Sequence, residues 1–176
     1  MSYTGHEITQ AAVAAVNLEF SNALAQIEHC VQQLNDEQIW WRPSPELNSI
    51  GNLLCHLAGN VRQWVIAGLG GEPDGRNRPG EFAERGPLPL STVWPPLQNT
   101  VQEAQTVLSD IQSEPERLIR RYRIQGFEVS GWDVVVHTVT HFRGHTQEIT
   151  GLSRQILGKN YQFAFIPTTP EQGAAS

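Results

Sequence analysis

One run of the sequence, His137-Thr-Val-Thr-His141-Phe-Arg-Gly-His145, constrains the fold more than any other. Imidazoles recur at every fourth residue. At 3.6 residues per turn a step of four drifts by only about 40°, so the three histidines share one stripe of a helix. Val134, Ile149, Leu152 and Ile156 prolong that stripe with apolar side chains, which marks it as the inward one. Ser130 with Asp133 forms a capping-box pattern at its start, and Gly158 supplies its stop, predicting a helix over Gly131–Leu157. A polar group buried without a partner costs about 1–3 kcal/mol. The chain must therefore fold so that other elements bring partners to the imidazoles.

Three more helices are expected to do this. Phe20, Leu24, Ile27, Val31 and Leu34 step by four, three, four and three within a first helix spanning about Glu7–Leu34. Pro43 and Pro45 prevent its continuation, and the connection carries Trp40 and Trp41, which are expected to close one end of the core or, as a pair, to line a pocket. Asn48-Ser49 offers an N-cap for a second helix running to about Ala67, with Ile50, Leu53, Leu54, Leu57, Val61, Trp64 and Val65 on its apolar side and glycines 68, 70 and 71 at its end. The proline- and glycine-rich stretch Glu72–Leu90 reads as a long irregular connection, of the kind that is often functional. Ser91 can cap a third helix with Leu97, Val101, Ala104 and Leu108 on its stripe and Pro95-Pro96 near its start. Leu118–Val129 alternates around Gln125-Gly126 and suggests a short hairpin. These elements predict an all-α chain, a four-helix bundle forming a single domain over residues 1–176, with an irregular tail from about Lys159.

Composition narrows the setting. Charged residues are 17% of the chain, and 12 basic against 18 acidic residues leave a net charge of −6. Nucleic acid and anionic membranes are poor partners for that balance. Met1-Ser-Tyr-Thr-Gly-His-Glu lacks the basic start and apolar stretch of a signal peptide, and no apolar tract approaches the roughly 18 residues of a membrane span. A soluble cytoplasmic protein is expected, with Cys30 and Cys55 as small apolar residues rather than a disulfide.

A metal ion is the partner that the histidine pattern suits. Two imidazoles at i and i+4 can reach one ion, as in the helical pair of zinc proteases. All three cannot, because His137 and His145 are separated by about 12 Å of helix rise. Spacing leaves open whether the pair is His137/His141 or His141/His145. His56 on the second helix, next to the small residues Ala58 and Gly59, is the natural third ligand. His6 lies too near the start to place, and His29 falls off its helix's apolar stripe and is expected in solvent. The plain alternative is a core in which the histidines hydrogen-bond one another or water.

Two segments carry a resemblance. Asn48-Ser-Ile-Gly-Asn-Leu-Leu-Cys-His56-Leu-Ala-Gly-Asn-Val-Arg-Gln-Trp64 resembles the second helix of the DinB-like superfamily, and His141-Phe-Arg-Gly-His145-Thr-Gln-Glu-Ile149 resembles the fourth. The likeness runs from the first helix through Leu157. It is closest to an uncharacterised branch that shares Trp40-Trp41-Arg-Pro43 and the glycine-rich stretch after Trp64. The resemblance implies a four-helix bundle that binds a divalent ion through His56, His141 and His145, with His137 one turn before the pair as a neighbour of the ion or of the substrate. Zinc is the expected ion and nickel the alternative. Many members follow the last ligand with Arg-Gly-Gln, whereas Thr146-Gln147-Glu148 stands here. Characterised members include transferases and an isomerase that depend on low-molecular-weight thiols such as bacillithiol or mycothiol, and dimers are common.

The functional expectation is a metal-dependent enzyme acting on a small molecule, with a thiol or a water activated on the ion for transfer or hydrolysis. A metal-binding sensor without turnover is the competing expectation. The Glu72–Leu90 connection, Trp64 and Trp94 are candidate walls of a pocket, and Arg62 or Arg143 a candidate anchor for a substrate carboxylate. Glu148, three residues beyond His145, is either a base or hydrogen-bond acceptor at the site or a plain polar residue of the helix. The low charge and exposed tryptophans suggest a homodimer.

Overall fold

The computed structural model describes residues 3–165, which are mostly helical. Helix α1 spans Gly5–Val31 and opens on a capping box between Thr4 and Glu7. Val13, Phe20, Ala23, Ile27 and Cys30 are buried along it. It stops three residues short of the expected Leu34, because Asn35 and Gln38 form a capping box of their own and start a separate turn, α2, at Asp36–Ile39. Trp40 follows, buried, with its indole N–H donating to the Leu88 carbonyl at 2.8 Å, whereas Trp41 is exposed.

Helix α3 spans Ile50–Val61 under a Ser49/Asn52 capping box and runs on without a break into a π-helical stretch, Arg62–Leu69. The expected helix to Ala67 is therefore present, with its second part widened to i→i+5 pairing. The connection beyond it is less irregular than its composition suggests. Asn77 caps a short helix, α4, at Arg78–Ala83, with Pro79 in its first turn, where no amide partner is needed. Gly86 sits at φ +54° against the Trp40 ring, so close that a Cβ would stand 2.2 Å from a ring carbon. Only glycine tolerates both conditions.

Helix α5 spans Leu90–Asp110 and starts at Pro89 rather than at a Ser91 cap. Pro95 and Pro96 consequently lie in its second turn and remove two intrahelical amide donors. The carbonyls they leave, on Ser91 and Thr92, belong to exposed residues. Strands β1, Arg121–Ile124, and β2, Phe127–Ser130, form the expected antiparallel hairpin. Gln125 and Gly126 both take positive φ at its turn, the conformation that matches strand twist. Helix α6 spans Gly131–Leu157 with the expected Ser130/Asp133 cap. The tail beyond Phe165 lies outside the described residues.

α1 packs against α6 and α5, and α3 packs against α5 and α6. Phe20 and Phe142 meet edge to face at 5.3 Å between α1 and α6. The deepest line of α6 is not the histidine line. Val134, Thr138, Phe142, Thr146, Ile149 and Ser153 are buried, and each of the three hydroxyls donates to the carbonyl four residues back at 2.8 Å. These small satisfied side chains let α1 approach. The histidines lie one residue before this line and are half-buried. No helix among the described residues is long and apolar enough to cross a membrane.

Candidate metal centre

His56 on α3 and His141 and His145 on α6 come together. Each offers one ring nitrogen, and the three nitrogens lie within 4.8 Å of one another. The ring centroids of His56 stand 5.0 Å from His141 and 5.1 Å from His145, and those of His141 and His145 are 4.5 Å apart. This arrangement can hold a metal ion. The Nε2 atoms of His56 and His141 are 3.2 Å apart. Two nitrogens on one tetrahedral zinc, each at about 2.0–2.1 Å, stand about 3.3–3.4 Å apart, so little movement separates this pair from a ligand pair.

Hydrogen bonds at Nδ1 orient two of the rings. His56 Nδ1 lies 2.9 Å from Glu81 Oε2, and His145 Nδ1 lies 2.7 Å from Glu148 Oε2. A carboxylate accepts only, so both rings carry a proton on Nδ1, which in a neutral ring leaves Nε2 as a lone pair. The Nε2 contact to His56 then requires a proton on His141 Nε2. The other nitrogen of that ring, Nδ1, is buried and has no hydrogen-bond partner among the described residues.

Burial sets the charge state. It pushes the His141 pKa down to about 3, with the neighbouring His145, His56 and His137 and the Arg76 guanidinium adding to the effect. Burial also lowers the His56 pKa, against the opposing pull of its bond to Glu81. His137 is lowered by burial alone. These three rings are neutral at physiological pH, which is the state a metal requires.

His137 stays outside the cluster. Its ring lies on Trp64, with centroids 4.0 Å apart and planes at 35°, and 5.6 Å from His141. Trp64 lies within the π-helical stretch, so the widened turn is the part of the helix that faces His137. His29, expected in solvent, is half-buried and hydrogen-bonds the Gln162 carbonyl at 2.7 Å and the Gln33 side chain at 3.0 Å, because the segment after α6 folds back over it. Neither arginine considered from the sequence serves this site. Arg62 pairs with Glu103, and Arg143 reaches Glu19 at 3.4 Å. Trp94 packs on the apolar core, Cys30 is buried, Cys55 is half-buried, and both thiols are free.

Arg76 and Glu81 are the site residues that sequence reasoning missed. Both come from the connection between α3 and α5, where no hydrophobic period places a side chain. Arg76 Nε donates to Glu81 Oε1 at 2.7 Å and Nη2 donates to Oε2 at 2.8 Å, with the two side chains 3% and 9% exposed. The only signal available was a Glu and two Arg within six residues of a segment already marked by its composition.

A family model described as "Protein of unknown function (DUF1572)" matches residues 7–170, and the chain belongs to that family. No curated protein and no solved structure matches it.

Proposed function

We propose that this family member is a metalloprotein of the DinB-like superfamily, a four-helix bundle built from α1, α3, α5 and α6. His56, His141 and His145 hold one divalent ion, zinc before nickel. The carrying observation is the donor set itself: three imidazole nitrogens within 4.8 Å, from two helices far apart in sequence. The 3.2 Å approach of His56 Nε2 to His141 Nε2 strengthens the fit, since it is close to the separation of two nitrogens on one zinc. A divalent ion bound by three neutral histidines supplies a Lewis acid with an open position, at which a thiol or water becomes a nucleophile at neutral pH.

The chain's own groups have separate tasks in this reading. Glu81 and Glu148 keep protons on the outer nitrogens of His56 and His145. Burial keeps His141 neutral. The stacked Trp64 and His137 rings form an aromatic wall beside the ligands for a small organic substrate, in a transfer or hydrolysis reaction. A sensor that binds the ion without turnover is the competing reading, and a panel of low-molecular-weight thiols with electrophilic acceptors separates the two. The metal reading is tested first by elemental analysis of protein purified without a histidine tag. About one zinc or nickel per chain is expected. Far less than one, with no rise in melting temperature on adding either ion, defeats it.

A further inference from the structure

The Arg76–Glu81 pair is built in a way that a surface ion pair is not. Glu81 receives three donors: Arg76 Nε on Oε1, and Arg76 Nη2 and the His56 Nδ1 proton on Oε2. Arg76 Nη2 also lies 3.1 Å from His56 Nδ1. With the carboxylate facing that ring, both nitrogens are donors, and Oε2 is the acceptor they share. The rest of Arg76 is held by Gln63, whose Oε1 accepts from Nη1 at 2.9 Å. The backbone carrying Glu81 is held as well: Asn52 Nδ2 donates to the Glu81 and Glu84 carbonyls, each at 2.9 Å. Asn52 in turn accepts from Arg42 at 2.9 Å. Room for the pair exists only because residue 59 is glycine. A Cβ there would stand 2.1 Å from Glu81 Oε1.

Buried ion pairs contribute little to stability on balance, because desolvation offsets their attraction. The arrangement instead does something specific to one ring. A neutral imidazole carries its proton on either nitrogen, and a proton on Nε2 would occupy the lone pair that faces His141. The geometry points to Arg76 and Glu81 as a positioning pair: Glu81 fixes the His56 proton on Nδ1, and Arg76 holds the Glu81 carboxylate in the one orientation that does so. This inference rests on the metal reading for its purpose, since the freed Nε2 is the atom that would meet the ion. It also means that the connection between α3 and α5 must be seated before His56 is a competent ligand.

The test uses the full chain, stripped of metal. Glu81→Ala alone leaves the Arg76 charge buried and risks unfolding the connection, so the main variant is Arg76→Met/Glu81→Gln, which removes both charges at nearly constant volume. Long-range proton–nitrogen NMR reads the tautomer of His56 without any metal. The wild type is expected to carry the proton on Nδ1, and the double variant to move a substantial share to Nε2. Zinc competition against a chromophoric chelator is expected to show affinity 10- to 100-fold weaker in the variant, about the effect of losing such an outer carboxylate, with the metal-free melting temperature kept within a few degrees. A His56 proton on Nε2 in the wild type, or an unchanged tautomer with zinc affinity within twofold in the variant, overturns the inference. A wild-type chain that shows the Nδ1 tautomer yet binds no zinc defeats the metal reading instead and leaves the assignment of the tautomer standing.

Discussion

Replacing His141 with alanine separates a ligand from a structural residue, because the two roles predict opposite energetics. In the metal-free protein His141 makes one contact of value, the Nε2–Nε2 hydrogen bond at 3.2 Å, worth about 0.5–1.5 kcal/mol net. Against this stands its unpartnered buried Nδ1, at a cost of about 1–3 kcal/mol. Loss of packing at a half-buried position returns about 1 kcal/mol to the unfavourable side. The terms nearly cancel. The metal-free variant is expected within about 1.5 kcal/mol of the wild type, roughly 5 °C in melting temperature for a chain of this size. Zinc at a hundredfold excess over its dissociation constant adds about 2.7 kcal/mol to the wild type, a rise of roughly 5–11 °C. If losing one of three ligands weakens binding by about a hundredfold, the same zinc adds only about 0.4 kcal/mol to the variant, near 1 °C. Thermal unfolding with and without zinc, in a chelator-stripped buffer, reads both quantities. A metal-free variant that melts more than about 10 °C lower, or one that keeps most of the zinc-driven rise, would refute this reasoning.

Three further predictions follow from other contacts. Replacing His137 with alanine should leave zinc affinity within a few-fold of the wild type while changing Trp64 fluorescence, since that ring stacks on Trp64 and lies outside the ligand cluster; equal losses from His137 and His141 variants in the same titration would show the ligand pair to be misassigned. The unfolded chain protonates His141 near its ordinary value of 6.5, whereas the folded chain does so only near 3, so the unfolded state binds more protons between these values and metal-free stability should fall as pH drops through that window. Urea unfolding between pH 6.5 and 4.5 should show a shallower fall in the His141→Ala variant, and equal slopes would contradict the assignment. Gly59→Ala should displace Glu81, lower zinc affinity by about tenfold in the chelator competition and leave the metal-free far-UV spectrum unchanged; undiminished affinity would show that the close approach of residue 59 to Glu81 has no bearing on the site.

The long helices were legible because each carries its own apolar period, and α1, α3 and α6 their own caps. The Ser130/Asp133 box places α6 and the four-residue spacing puts its histidines on one stripe with no knowledge of the rest of the fold, whereas the choice of His141 and His145 comes from the family resemblance. The line that α1 packs against was not legible, since Thr138, Thr146 and Ser153 are polar by composition and join the core only once their hydroxyls bond to their own helix. α4 and the Arg76–Glu81 pair escaped for a different reason. Their order comes from contacts with Asn52, His56 and Gln63 across the fold, which no local pattern in Glu72–Leu90 records. His29 escaped likewise, because its partners come from beyond α6.

The widened Arg62–Leu69 stretch separates two features that would otherwise be tied together. A π turn holds more residues per turn than an α turn, so deleting one residue there would let the segment relax to ordinary α pairing. The residues beyond Leu69 would keep their place relative to α3, because the deletion removes the extra residue of the wide turn, and only side chains inside the stretch, Trp64 among them, would shift. His56 lies before the stretch and would keep its place. Chain-length variation at this point therefore offers a way to change the aromatic surface beside the histidine cluster while leaving the three histidines where they stand.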